Sequence, residues 1–285
     1  MAGTTTAPEQ DNKLPLVSCL TITPATPDRL EFLKRSLNCY AAQTYHRREL
    51  VIVIDNSSEN GGAAIREIAR SCGNSDIRIV EPHGNLTLGA LRNQAIRAAR
   101  GDYLCTWDDD DMYHPERLAR QAAALNDPHK TAVGLTEIIQ FFPAERRLFL
   151  TNWVSSPPSV MPASLMWKRS VPAVYPETGD EAQLGEDLAF IAQLQPVGGV
   201  SGISGPPYLY VYVCHGHNTT GVDHQRMLTE KLAVSKGMVL RREPALRAGL
   251  AAYDFGPGSL TVEGNNGLAF TLSDEDQAGQ QGDEH

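Results

Sequence analysis

GDYLCTWDDDD, residues Gly101 to Asp111, sets an uncharged strand-forming run directly against four consecutive carboxylates. Tyr103 to Trp107 are apolar or β-favouring, the pattern of a short buried strand. Carboxylates stacked at the tip of such a strand repel one another, so stability alone disfavours Asp108, Asp109, Asp110 and Asp111 side by side. A divalent cation reverses the balance, because a hard ion wants several oxygen ligands and neutralises the repulsion. The pattern therefore points to a metal that holds a phosphate-bearing substrate. The alternative is a solvated acidic turn capping a helix that starts near Pro115 and Glu116.

Working outward, the segments before this stretch alternate between strand and helix. Leu14 to Thr23 reads as a first strand ending in the turn Thr23-Pro24, and Asp28 to Ala42 places Leu30, Leu33, Leu37 and Tyr40 at helical spacing. Leu50 to Ile54 (LVIVI) is a strand covered on both faces, ending in the turn chemistry of Asp55-Asn56-Ser57-Ser58. Ala63 to Ser71 is helical, Ile77 to Val80 a strand, and Leu88 to Ala99 a helix leading into the aspartate strand. Strands and helices in alternation predict an α/β fold with a mostly parallel central sheet flanked by helices. Ligands of such sheets bind at the carboxyl ends of the strands, where Thr23, Asp55 and the aspartates fall.

After about residue 130 the regularity weakens. Ala132 to Phe142 and Arg147 to Trp153 read as strands of a small antiparallel element, Ser155 to Pro162 as loop, Leu184 to Leu194 as helix and Tyr208 to Val213 as strand. Met227 to Leu250 is largely helical, and SLTVEGNNGLAFTLS reads as a hairpin about Asn265-Asn266-Gly267. The expected organisation is a polar, disordered tail at 1–13, one domain over 14–225, and an extension at 226–285 of helix, hairpin and acidic end.

The formal net charge of −9 and pI of about 5.4 argue against a nucleic-acid partner gripped by its backbone. An acidic chain still binds a nucleotide diphosphate where a metal or local dipoles supply positive field. Cys19, Cys39, Cys72, Cys105 and Cys214 are scattered without a CxxC pair, which fits free thiols in a reducing compartment. Residues 1–13 have neither the basic start nor the apolar core of a secretory signal, and no apolar run approaches the ~20 residues of a membrane span. The expectation is a cytoplasmic protein, with peripheral membrane contact and oligomeric state left open.

The ordered set of strand ends at Thr23-Pro24 and Asp55, GALRNQAIRAARGDYL, WDDDD, Gly185-Glu186-Asp187 and HGHNT at His215 to Thr219 resembles the family-two glycosyltransferases. The resemblance covers about residues 14 to 220. It implies a Rossmann-like GT-A fold and inverting transfer of a sugar from a nucleotide-diphosphate donor, with a UDP-sugar foremost. Acceptors of the family include glycans, lipid-linked molecules and small molecules. By that resemblance Asp108 and Asp110 hold Mn²⁺ or Mg²⁺ against the diphosphate, Asp108 also touching the donor. Asp55 takes the base or ribose; Thr23 and Pro24 line the same pocket, a departure from the Asn-Arg often found nearby.

Gly89, Arg92 and Asn93 open the helix that faces the nucleotide, glycine permitting close backbone approach. Arg92 is read equally as a diphosphate contact and as an ion-pair partner of Asp108 or Asp110. Asp187 is implied as the base that takes the acceptor proton and Glu186 as its orienting neighbour, although two acids at a helix start are also favoured by the dipole alone. His215 is favoured over His217 as a metal or diphosphate contact. Two rival classes are a metal-dependent nucleotidyltransferase, for which no Walker-type or nucleotidyl loop is present, and a non-catalytic nucleotide-sugar-binding protein. An EF-hand-like calcium module lacks its alternating ligands here.

Overall fold

The computed structural model describes residues 14–24, 26–55, 61–73 and 76–275. The expected tail at 1–13, the turn residues Asn56 to Ser58 and the acidic end 276–285 lie outside them. The first strand, β1 (Val17–Pro24), runs parallel to β2 (Arg48–Asp55), which carries β3 (Ile77–Val80) on its far side. On its other side β1 pairs in parallel with β4 (Tyr103–Thr106), the strand that delivers the aspartates. Chain order reverses direction between β1 and β4, which makes that crevice the topological switch point of the sheet. The helices α1 (Pro27–Ala41), α2 (Gly61–Ser71) and α3 (Leu88–Ala98) cover the sheet: Leu33, Leu37 and Ile65 belong to one core layer, Leu91 and Ala95 to the other.

Beyond β4 the aspartates lead into β5 (Met112–Tyr113), too short to show in sequence, and then α4 (Arg117–Leu125). The apolar run Ala132 to Phe142, expected as one strand, is divided at Thr136 into β6 (Ala132–Leu135) and β7 (Glu137–Phe142), which belong to different sheets. Thr136 is the corner: its amide donates to the Ile203 carbonyl at 3.0 Å, and its own carbonyl accepts from the Trp153 amide at 2.7 Å. Both halves are buried throughout, so no alternation of polar and apolar residues marked the break.

The central sheet is completed by β9 (Met166–Lys168), antiparallel to β4 and β6, and by β10 (Val200–Ile203), giving the order β10-β6-β9-β4-β1-β2-β3 among the described residues. The antiparallel pair expected on the acceptor side is β7 with β8 (Arg147–Asn152). It is enlarged by β11 (Tyr210–Val213) and by a hairpin of β12 (Leu260–Gly264) and β13 (Gly267–Leu272), in the order β13-β12-β8-β7-β11-β5. Because β12 runs parallel to β8 and β11 parallel to β7, this second sheet is mixed.

Three further boundaries shift for local reasons. The helix expected from Leu184, α5 (Glu186–Ala192), begins only after Gly185, whose φ of 92° is left-handed. The strand expected from Tyr208 starts at Tyr210, after a single 3₁₀ turn at Pro207–Leu209. The helical stretch near 227–250 is three helices, α6 (Val222–Leu232), α7 (Lys236–Arg241) and α8 (Glu243–Leu250). Between α6 and α7 the backbone leaves the helix to bond β8, with the Val234 amide on the Leu150 carbonyl at 3.0 Å, and Ser235 then caps α7. Val239, Leu246 and Leu250 pack this helical segment onto the second sheet beside Leu148, Val211 and Val262. Trp107, Trp153 and Trp167 are all buried.

Candidate active site

The aspartate run crosses from the central sheet to the second one, and its four side chains part company there. Asp111 is locked inward, accepting from the Tyr210 hydroxyl at 2.5 Å and the Val213 amide at 2.8 Å. Asp109 is fully buried and is gripped by Arg29 of α1, whose Nε donates at 3.2 Å and whose Nη2 reaches the other oxygen. Asp110 accepts from Arg29 Nη1 at 2.8 Å and lies 3.0 Å from His215 Nε2. Asp108 is the most open of the four, with its side chain 22% exposed and Arg92 3.5 Å away.

The backbone of the run is fixed as firmly as its side chains. Ser36 and Tyr113 donate to the Asp108 carbonyl at 3.1 and 2.9 Å, and Arg35 donates to the Asp110 carbonyl at 2.6 Å. Beneath it Arg117 is fully buried, its guanidinium among the rings of Tyr113, Tyr210 and Trp107 at 4.5, 4.8 and 5.2 Å, with Nη2 on the Thr106 carbonyl.

These surroundings separate the acids electrostatically. Burial, reinforced by the charge of Asp110, pushes Asp109 up to about 7. Burial also raises Asp108 and, with Asp110 and Asp108 as neighbours, Asp111. Burial works against Asp110 too, but the hydrogen bond from His215 and the charge of Arg29 outweigh it and hold this carboxyl below its usual range.

On the other wall Arg92 links the aspartates to α5. Its Nε lies 3.1 Å from Glu186 and 3.7 Å from Asp187, and its guanidinium stands 5.6 Å from the centre of the Tyr175 ring. Arg92 thus takes the ion-pair role, with Asp108 and with both acids of the Glu-Asp pair. Burial pushes Asp187 up to about 7; Arg92 opposes that rise, and Glu186 and Asp108 add to it.

Gly89 and Asn93 pack against the 175–177 segment. A Cβ on Gly89 would come 1.9 Å from the Pro176 carbonyl oxygen, so the close backbone approach is to the chain's own 176 segment. Asn93 is buried, donating to the Tyr175 carbonyl and Glu177, each at 2.9 Å, and accepting from the Tyr175 amide at 3.0 Å. Thr23 is likewise fully buried, its hydroxyl turned to protein groups. Pro24 and Asp55 stand opposite each other in register at the strand ends, and both are part-exposed.

His215 and His217 have different surroundings. The His217 amide donates to His215 Nδ1 at 3.1 Å, so the hydrogen-bond pattern assigns the proton of His215 to Nε2, which donates to Asp110. The His217 side chain is exposed. Phe32 lies against the His215 ring at 4.4 Å.

Asp108 and Asp110 face the crevice on one wall and Glu186 and Asp187 on the other, with Arg29 and Arg92 between them, a set of oxygen donors that suits a cation. Among the described residues no three His, Cys, Asp or Glu side chains converge as an all-protein cage. An ion that takes one or two carboxylates and completes its shell with phosphate oxygens and water needs none. Asp110 and Asp108 fit as such donors; His215, whose Nδ1 accepts the His217 amide and whose Nε2 therefore carries the proton, supports Asp110 rather than offering a free lone pair. Sequence reading missed Arg29, although one signal was there: a cation in the first turn of a helix opposes the dipole.

Comparison with known proteins gives the family and the fold. The sequence model of Glycosyl transferase family 2 matches residues 22–166, just over half of the chain. An uncharacterised glycosyltransferase of Methanocaldococcus jannaschii is 35% identical over 109 residues, 38% of this chain and 36% of that one. The amylovoran biosynthesis glycosyltransferase AmsB of Erwinia amylovora is 27% identical over 95 residues, 33% of this chain and 32% of its own. The matches thus span about a third of these relatives.

Among solved structures, the mannosyltransferase PcManGT from Pyrobaculum calidifontis, in complex with GDP-Man and Mn²⁺, superposes with a TM-score of 0.57 at 18% identity, over 85% of this chain and 64% of that one. S. aureus TarS 1-349 in complex with UDP-GlcNAc gives 0.53 at 16%, over 84% and 67%. The fold is therefore the GT-A fold, and the chain belongs to glycosyl transferase family 2.

Proposed function

We propose that this protein transfers a sugar, with inversion, from a nucleotide-diphosphate donor to an acceptor hydroxyl, with Asp187 as the general base. The observation that carries the reading is the Arg92 bridge, which sets the Glu186-Asp187 pair within one ion-pair network of Asp108. One wall of the crevice then faces the diphosphate and the other the incoming hydroxyl. A carboxyl poised near 7 suits a base that must take a proton at neutral pH. The acceptor oxygen attacks the anomeric carbon as its proton passes to Asp187, and the bond to the nucleoside diphosphate breaks. Arg92 faces the charge that develops on the departing phosphate. Asp110 and Asp108 would hold Mn²⁺ or Mg²⁺, whose Lewis acidity stabilises the same leaving group. Pro24 and Asp55 face the base and ribose.

The GDP-Man–Mn²⁺ and UDP-GlcNAc complexes of the similar structures support a nucleotide-sugar donor and put Mn²⁺ first among metals. UDP is the first nucleotide to try and GDP the second. Calorimetric titration of each into the protein with Mn²⁺, with Mg²⁺ and with EDTA tests the reading. Metal-dependent binding of one of them, followed by release of sugar from the matching donor, is expected. If neither nucleotide binds under any condition, the protein is not a UDP- or GDP-sugar transferase.

A further inference from the structure

Arg29 makes an arrangement that no other cation of the crevice makes. Its Nε and Nη2 lie side-on to the two oxygens of Asp109, while Nη1 alone reaches across to Asp110 Oδ2 at 2.8 Å. That same Oδ2 faces His215, so Arg29 occupies one of the two oxygens that Asp110 would offer a divalent ion. The contact is not required to hold α1 in place. Arg35 and Ser36 of the same helix already bind the carbonyls of Asp110 and Asp108. Arg92, by contrast, is shared among Asp108, Glu186 and Asp187 and makes no contact with Asp110 at salt-bridge distance. The Arg29 side chain is 17% exposed and springs from the helix that follows the Thr23-Pro24 strand end, on the nucleotide side of the crevice.

We propose that Arg29 is an exchangeable counter-ion and a diphosphate-binding residue: it keeps its two-pronged grip on Asp109, while its Nη1 moves from Asp110 to a phosphate oxygen when a divalent cation enters with the donor. This rests on the donor reading above. A guanidinium held on one edge by a carboxylate keeps its remaining donor free for an anion, which a lysine cannot do. The exchange keeps the buried charges paired in both states, so neither the empty nor the loaded site carries an isolated carboxylate.

The test is Mn²⁺ binding, read from the free-ion electron paramagnetic resonance signal, and then UDP or GDP binding at saturating Mn²⁺, for the wild type, R29M and R29K. Circular dichroism checks that each variant is folded, and R29K keeps the charge should R29M fail to fold. R29M, without the competitor, is expected to bind Mn²⁺ alone about tenfold more tightly, and the Mn²⁺-nucleotide about tenfold more weakly. R29K is expected to lie between on Mn²⁺ and to leave the nucleotide weak. Wild type that binds Mn²⁺-nucleotide, with both affinities unchanged in the variants, overturns the Arg29 proposal and leaves the donor reading standing. Tighter Mn²⁺ in R29M with no nucleotide bound by any form upholds the counter-ion but overturns the donor reading and the phosphate contact with it. Mn²⁺ bound by none of the three, whether alone or together with UDP or GDP, overturns both.

Discussion

Four identical residues in a row have four different fates. Asp109 and Asp111 are spent on protein partners, while Asp110 and Asp108 face the crevice. Sequence marked the run but not this division, because the partners Arg29, Tyr210 and Val213 lie about 80 to 100 positions away along the chain. Asp110→Ala is expected to weaken metal-dependent nucleotide binding at least tenfold in calorimetry. It should also lower the melting temperature, since removing one member of a buried charge cluster costs about 3 kcal/mol.

Asp187 gives opposite signs for activity and stability. Its folded carboxyl titrates near 7 because burial disfavours the charge. Turnover should therefore rise with pH through about 7 as the base ionises. Folding stability should fall over the interval from the unfolded value near 4 up to that point, since the native state resists ionising a group the unfolded chain ionises freely. Asp187→Asn is thus expected to abolish transfer while leaving nucleotide binding nearly intact. It should also melt above the wild type near pH 8, with the gain shrinking toward pH 5. A variant with near-normal turnover would remove Asp187 from the base role.

At the scale of elements, α3 is the wall that carries Arg92, and its placement depends on two neighbours in its first turns. Gly89 admits the Pro176 carbonyl, and Asn93 satisfies both backbone groups of Tyr175. The helix itself was legible from its apolar spacing. Its seating was not, because the segment it packs on comes some 80 residues later. Gly89→Ala should push α3 from that segment at a cost of about 1–3 kcal/mol. Asn93→Leu should strand two buried backbone groups at about 2–3 kcal/mol. In both variants chemical denaturation should show the loss of stability. Activity should fall with it, because Arg92 rides on the displaced helix.

Across the whole molecule, local pattern was a good guide where a strand pairs with a near neighbour in sequence. Leu50 to Ile54 lies wholly within β2, and Ile77 to Val80 is β3 as read. It failed where the chain changes sheets, as at Thr136, because continuous burial looks alike on both sides of a corner. The terminal hairpin was legible from Asn265-Asn266-Gly267, but not its pairing with β8, which makes it an edge of the second sheet. Val262 is fully buried there among Leu148, Leu150 and Leu246. Val262→Asp is expected to leave the protein insoluble or binding a hydrophobic dye, with the defect spreading to the aspartate site through β8, β7 and β11. No helix among the described residues is long and apolar enough to cross a membrane.

The lock on Asp111 has a consequence for anyone who would re-engineer this scaffold. The central sheet and the second sheet look like modules that could be exchanged between relatives to alter acceptor choice. One joint between them, however, runs through a carboxylate whose two oxygens are claimed by Tyr210 and Val213, with Tyr113 bracing the same turn from below. A chimaera cut at the strand boundaries would import a β11 unmatched to the native turn and leave a buried acid without its donors. The transplantable unit is therefore defined by chemistry rather than by chain order: residues 108–113 and 207–213 must travel together.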